Sequence, residues 1–156
     1  RTIPIEVLGG GPDRKRLEVE VAEKGLGEFI QFAPRGPSGR VEYDKYLGAL
    51  RKAWALLPLI PLSKTDYRDF KITSAIPTAL GFGLPVVLDR WTAAVYRVPC
   101  VTSDVSVSAS LHALLDLSDE DHNAASAAAV AYRDAALARN QCDVARVLTH
   151  FGDPFR

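Results

Sequence analysis

Gly9, Gly10, Gly11 and Pro12 separate an apolar run from an amphipathic one in the stretch PIEVLGGGPDRKRLEVEVAEKGL. A strand, a glycine-rich turn and a helix in that order expose backbone amides at the helix start. Such amides suit a phosphate or a sugar hydroxyl. Two familiar forms of this turn do not fit. A P-loop needs Gly-Lys-Ser/Thr after its first glycine, and none follows here. A dinucleotide fingerprint counted from Gly9 meets Gly11 in its second place but Arg14 in its third. The second strand then ends in QFAP, with no acid for a ribose. Two readings of the glycines remain: a tight strand-to-helix turn with no ligand, or a turn that lets a ligand approach the backbone.

Other chemistry-bearing residues are less organised. His112, His122 and His150 are scattered, with no i, i+4 pair and no cysteine at ligand spacing, so no metal is expected. Cys100 and Cys142 are two distant thiols and make no disulfide framework. SDEDH at 118–122 reads as a capped helix start rather than a catalytic cluster. No Gly-x-Ser-x-Gly elbow is present for a serine nucleophile. DRKR at 13–16 reads as a solvated basic cluster, with Arg14 as its one candidate for a phosphate contact. Trp54, Trp91 and Tyr96 read as packing aromatics, with Tyr96 also placed to line a cleft.

The elements that would position these residues alternate. Ile3–Leu8 reads as a buried strand, and Pro12 fits the first position of a helix whose inner face is Leu17, Val21 and Ala22. Gly25 or Gly27 ends that helix. Phe29–Phe32 is a second strand, and APRGPSGR is a loop. A helix resumes near Tyr43 with Tyr46, Leu47 and Leu50 inward. AWALLPLIPL holds a third strand, SKTDYRDF a polar loop, and KITSAIPTALGFG a short helix that Gly83 ends. Pro77 is tolerated there only within the first turn. LPVVL is a strand, RWTAAVYRV a short helix and PCVTS a short strand. VSASLHALLDL is a helix, Ser118 caps a long alanine-rich one, and a last helix spans about Gln141 to His150. Alternating strands and helices predict an α/β fold with a Rossmann-like parallel sheet and helices on both faces, whose ligands bind at the carboxyl ends of the strands.

The order of these segments resembles the C-terminal, nucleotide-sugar-binding half of a retaining GT-B glycosyltransferase of the group 1 type. Gly9, Gly11 and Pro12 match that family's Gly-x-Gly-Pro turn, Gly25 and Leu26 its helix end, and Phe32 its second strand, while Ala33–Arg35 match its glycine loop imperfectly. TALGFGLPVV places Gly83, Pro85, Val86 and Val87 as the family's Gly-x-Pro-Val-Val, and the helix after Ser118 is similar to its C-terminal helix. The resemblance covers nearly the whole of residues 1–156 as one donor-binding domain.

That resemblance implies a nucleotide diphosphate sugar as donor, with Lys71, Thr73 and Ser74 at the diphosphate, Thr78 at a sugar hydroxyl, and Ala33 and Pro34 beside the base. Gly10 and Gly11 would clear space for the ligand. The catalytic residues stay unassigned. Neither metal nor cofactor is implied. The family often carries two glutamates that hold donor hydroxyls. They align with Phe70 and Thr78, so both carboxylates are absent, although Asp66 and Asp69 lie in the same loop. Lys71 could equally be solvated, and Thr73 or Ser74 a simple helix cap. A catalytically inactive binding or regulatory module of the same fold is therefore the rival expectation. A flavodoxin-like fold with another phosphate ligand is the third.

Composition limits the field further. The 156 residues are 47% apolar and 24% charged with formal net charge +0, so no global field points to nucleic acid. No apolar run approaches the roughly 20 residues of a membrane span. The absence of methionine, even at position 1, and the abrupt opening strand suggest a piece of a longer chain. On the family pattern it would lack the first strand of its half, the basic pair there, and the N-terminal half as partner. A cytoplasmic or peripheral membrane location is expected.

Overall fold

The computed structural model describes residues 3–9, 11–58, 60, 73–104 and 106–151. It is an α/β arrangement that divides into two compact units, residues 1–53 and 54–156.

In the first unit, β1 (Ile5–Val7), α1 (Arg14–Glu23) and β2 (Ile30–Phe32) form a parallel βαβ element. Its register pairs Ile5 with Ile30, Glu6 with Gln31 and Val7 with Phe32. Ile5, Val7, Ile30 and Phe32 are half-buried, while Glu6 and Gln31 are exposed. This strict alternation marks a sheet covered on one face. It corrects the expectation of a buried first strand, since within β1 only Ile5 and Val7 turn inward and then only in part. Pro12 also lies earlier than expected: it sits in a turn closed by the Arg14 amide on the Gly11 carbonyl, at 3.2 Å, and the helix begins only at Arg14. The expected inner face of α1 is sparse, because Leu17 and Ala22 are exposed and Val21 only half-buried.

The C-terminus of α1 follows from Gly25. At φ +65° Gly25 donates to Ala22 O, and Leu26 donates to Val21 O. These paired bonds are a Schellman ending, which favours glycine because a Cβ is strained in that conformation. After β2 the chain turns through a three-residue hairpin. Gly36 donates to Arg40 O and Gly39 to Gly36 O, with Pro37 leading the turn and Gly39 left-handed at φ +76°. α2 (Tyr43–Lys52) then buries Leu50, with Tyr46 and Leu47 half-buried as its spacing predicts.

In the second unit, β3 (Val87–Asp89) and β4 (Val101–Ser103) pair in parallel, with Val87 opposite Val101 and Asp89 opposite Ser103. On the other side Leu56 makes a parallel bridge to Val86. That bridge is what the described residues contain of the expected third strand. Val86, Val87 and Leu88 are all buried, as consecutive residues of an interior parallel strand should be. Each such side chain contributes roughly 1.5–3 kcal/mol by leaving water.

Helices surround this strand. α3 (Ala75–Gly81) buries Ile76, Ala79 and Leu80, with Pro77 in its first turn. α4 (Arg90–Tyr96) and α5 (Val107–Leu115) follow β3 and β4. Asp89 caps α4 by accepting from the Trp91 and Thr92 amides, and Ser106 caps α5 by accepting from the Ala109 amide. α6 (Asp119–Phe151) is one continuous helix of 33 residues, not two. Nothing between 119 and 151 breaks it: the stretch has neither glycine nor proline.

Candidate functional site

The first group of expected site residues stands at the carboxyl ends of β1 and β2. Ala33 is buried at 4% exposure and follows β2 directly. Its amide donates to Val7 O at 3.1 Å. Its carbonyl accepts from Arg14 Nη2 at 2.6 Å. Both backbone groups of Ala33 are therefore already engaged. Pro34 beside it is exposed, and so is Gly11. A Cβ added at Gly9 or Gly11 would meet no atom within 4 Å. Among the described residues no neighbour requires a glycine at either position. Gly10 lies outside the described residues.

Arg14 was read from sequence as solvated, and the structure corrects this. It is 6% exposed. Besides Ala33 O, its Nη1 donates to Gly9 O at 3.4 Å and its Nε to Glu18 Oε1 at 2.6 Å. Its guanidinium carbon stands 5.3 Å from the centre of the Phe32 ring. An arginine in the first turn of α1 reaches both strand ends, and their carbonyls take its protons. Three of its five N–H groups meet protein oxygens and only 6% of its surface is exposed, so little of Arg14 is open to a phosphate. The remaining basic residues of α1 do lie in water. Arg16 of α1 and Lys24 just beyond it both pair with Glu20, at 3.8 and 2.7 Å. The hydrogen bond and charge of Lys24 hold Glu20 below the usual carboxylate range.

The second group stands on α3. Ser74 is the residue before the helix, exposed, and its side chain makes no capping bond. Thr73 instead accepts from the Ala75 amide through Oγ1, at 3.3 Å. The Thr73 amide donates to Tyr96 Oη at 2.8 Å, so the phenol at the end of α4 anchors the chain where it enters α3. Tyr96 thus does more than pack. Thr78 is half-buried one turn on. Lys71, Phe70, Asp66 and Asp69 lie outside the described residues.

The far end of α3 is tightly specified. Gly83 adopts φ +67°, donates to Leu80 O, and lets Leu84 donate to Ala79 O in a second Schellman ending. Its carbonyl accepts from Ser126 Oγ of α6 at 2.6 Å. A Cβ at this position would lie 2.8 Å from Val130 Cγ2.

Two further clusters are structural. His122 stacks on Trp54 with ring centres 4.2 Å apart and planes 8° apart. Its Nε2–H donates to the Trp54 carbonyl at 2.7 Å, an assignment that follows because a carbonyl only accepts. SDEDH therefore caps a helix as expected, since Ser118 Oγ accepts from the Asp121 amide, but its histidine turns inward rather than to water. At the end of β4, buried Ser103 and Ser110 share a 2.8 Å hydrogen bond, and Ser110 also donates to Ser106 O. These buried hydroxyls are satisfied within the protein. Among the described residues no three His, Cys, Asp or Glu side chains gather as metal ligands. Nor is any described helix long and apolar enough to cross a membrane.

No protein-family model matches this chain, and neither does any curated protein or solved structure.

Proposed function

We propose that this chain is the donor-binding half of a GT-B glycosyltransferase, which moves a sugar from a nucleotide diphosphate sugar to an acceptor. The observation that carries the reading is the junction from α3 into β3. There a short helix ends on a left-handed glycine and passes through Leu84, Pro85 and Val86 into a doubly buried parallel strand. This is the Gly-x-Pro-Val-Val feature of the resemblance, and the βαβ element of the first unit supplies its Gly-x-Gly-Pro turn in the expected order. On this reading the two separate parallel strand pairs, β1 with β2 and β3 with β4, belong to a Rossmann-like fold.

The chemistry proposed is electrostatic. Lys71, with the hydroxyls of Thr73 and Ser74, balances the charge that builds on the leaving diphosphate. Thr78 bonds a sugar hydroxyl. Gly10 and Gly11 leave the ligand room, and Pro34 and the end of β2 meet the base. Reaction at the sugar needs no metal in this scheme, because the lysine supplies the positive charge.

A second reading has a specific feature in its favour. Thr78 and Phe70 stand where the family often has glutamates, and neither supplies a carboxylate. A neutral hydroxyl gives a hydrogen bond roughly half as strong as a charged one. The second reading is accordingly a nucleotide-sugar-binding module without turnover. Incubation with a panel of nucleotide sugars separates the two. Release of nucleoside diphosphate supports the enzyme, and binding without release supports the module. Failure to bind any of them overturns both.

A further inference from the structure

We infer that Arg14 is a positioning residue for the nucleoside end of the donor, a buried guanidinium that ties the glycine turn at Gly9 to the exit of β2 at Ala33, beside Pro34. The inference rests on the donor-binding reading above.

A buried arginine is costly unless its protons are taken up, so its surroundings must be built for it. Here the acceptors are two carbonyls at the carboxyl ends of adjacent parallel strands: Ala33 O at 2.6 Å and, more loosely, Gly9 O at 3.4 Å. In open parallel sheets this is the edge where ligands lie. Among the described residues a Cβ at Gly9 or Gly11 would meet no atom within 4 Å, and Pro34 is exposed, so the side chains around this edge leave it open. The Ala33 amide is tied to β1 and its carbonyl to Arg14, so the exit of β2 is fixed from both sides. The Phe32 ring, 5.3 Å from the guanidinium carbon, lies beside the same group. One side chain therefore spans the glycine turn and the end of β2.

The salt bridge to Glu18 is a different matter. Glu18 is 40% exposed and shares the helix with Arg14. Half-solvated pairs of this kind contribute little. The positioning is done by the carbonyl bonds. A lysine, with one compact ammonium, cannot reproduce a planar fork that serves two carbonyls and a carboxylate at once.

The test uses the full chain with Arg14→Lys and Glu18→Gln, and measures affinity for uridine, guanosine and pyrophosphate, with circular dichroism as the fold control. Arg14→Lys is expected to weaken nucleoside binding about tenfold, the scale of one lost charged hydrogen bond. Pyrophosphate affinity should stay within about twofold, and Glu18→Gln should leave both ligands within about twofold. Equal weakening of nucleoside and pyrophosphate by Arg14→Lys would show a general structural role and overturn the inference. So would a loss in Glu18→Gln that matches Arg14→Lys. Should Arg14→Lys fail to fold, the wild-type Arg14 Nε–H resonance decides: a shift with saturating nucleoside and none with pyrophosphate supports the inference, and no shift with nucleoside overturns it. If the wild type binds neither UDP nor GDP, the donor-binding reading itself is overturned, which is a separate result.

Discussion

Replacing Gly83 with alanine should destabilise the second unit strongly. Two costs add there. A non-glycine residue in the left-handed region loses about 1–2 kcal/mol. The new Cβ would also stand 2.8 Å from Val130 Cγ2, and overpacking of this kind costs about 1–3 kcal/mol. Against these, alanine restricts the unfolded chain and returns about 0.4–1 kcal/mol. The net is a loss of about 2–3 kcal/mol. For a unit of this size that lowers the melting temperature by roughly 10 °C. Urea denaturation followed by circular dichroism measures it, and a double-mutant cycle apportions it. Val130→Ala removes the atom that clashes, so the double variant should be more stable than the sum of the singles by about 1 kcal/mol. The backbone strain remains, so the double variant should still fall below Val130→Ala alone. A Gly83→Ala protein within about 0.5 kcal/mol of wild type, the usual scatter of neutral substitutions, would refute the reasoning. An additive cycle would refute the contact with α6.

Other consequences are smaller. Ser118→Ala removes the oxygen that accepts from the Asp121 amide, and should cost about 1 kcal/mol in denaturant unfolding. Tyr96→Phe orphans the Thr73 amide and should cost about 1 kcal/mol, with a parallel loss of nucleotide affinity by calorimetry because the entry to α3 loosens. Thiol labelling at pH 8 should be biphasic. Cys142 is exposed and reacts first, whereas burial pushes the Cys100 thiol above its usual pKa, so it holds less thiolate and lags. Cys142→Ser should remove the fast phase only.

What could be read from the sequence was mostly local stereochemistry. Gly25 or Gly27, and Gly83, announced helix ends because a left-handed residue is strained for anything with a Cβ; Gly25 and Gly83 are the left-handed ones. Ser118 announced a cap because a hydroxyl before an acidic first turn has orphan amides to satisfy. Leu50 announced an inner face through helical spacing. Tertiary choices were harder. Arg14 looked solvated because its neighbours are charged, and its burial depends on carbonyls at Gly9 and Ala33 that only folding brings to it. The available signals were its place in the first turn after a strand, within reach of that strand's end, and Glu18 one turn along to take its Nε proton. Ile3–Leu8 was read as a buried strand, yet the alternation of Ile5, Glu6 and Val7 already carried the one-sided pattern that the structure shows. The unbroken course of α6 was obscured by polar Asn140 and Gln141, although neither breaks a helix that carries no glycine or proline. Of the candidate site, the hydroxyls of Thr73 and Ser74 were visible as residue types. The anchoring of Thr73 by Tyr96 was not, because 23 positions separate them.

The proposed donor site is tested most directly by titrating UDP and GDP, by calorimetry, into the full chain and into Lys71→Ala. The account predicts that at least one diphosphate binds the wild type. It also predicts that the variant binds it at least about tenfold more weakly, as expected when a charged partner of a phosphate is lost. No binding of either nucleotide by the wild type, or equal affinity in the two proteins, would contradict it.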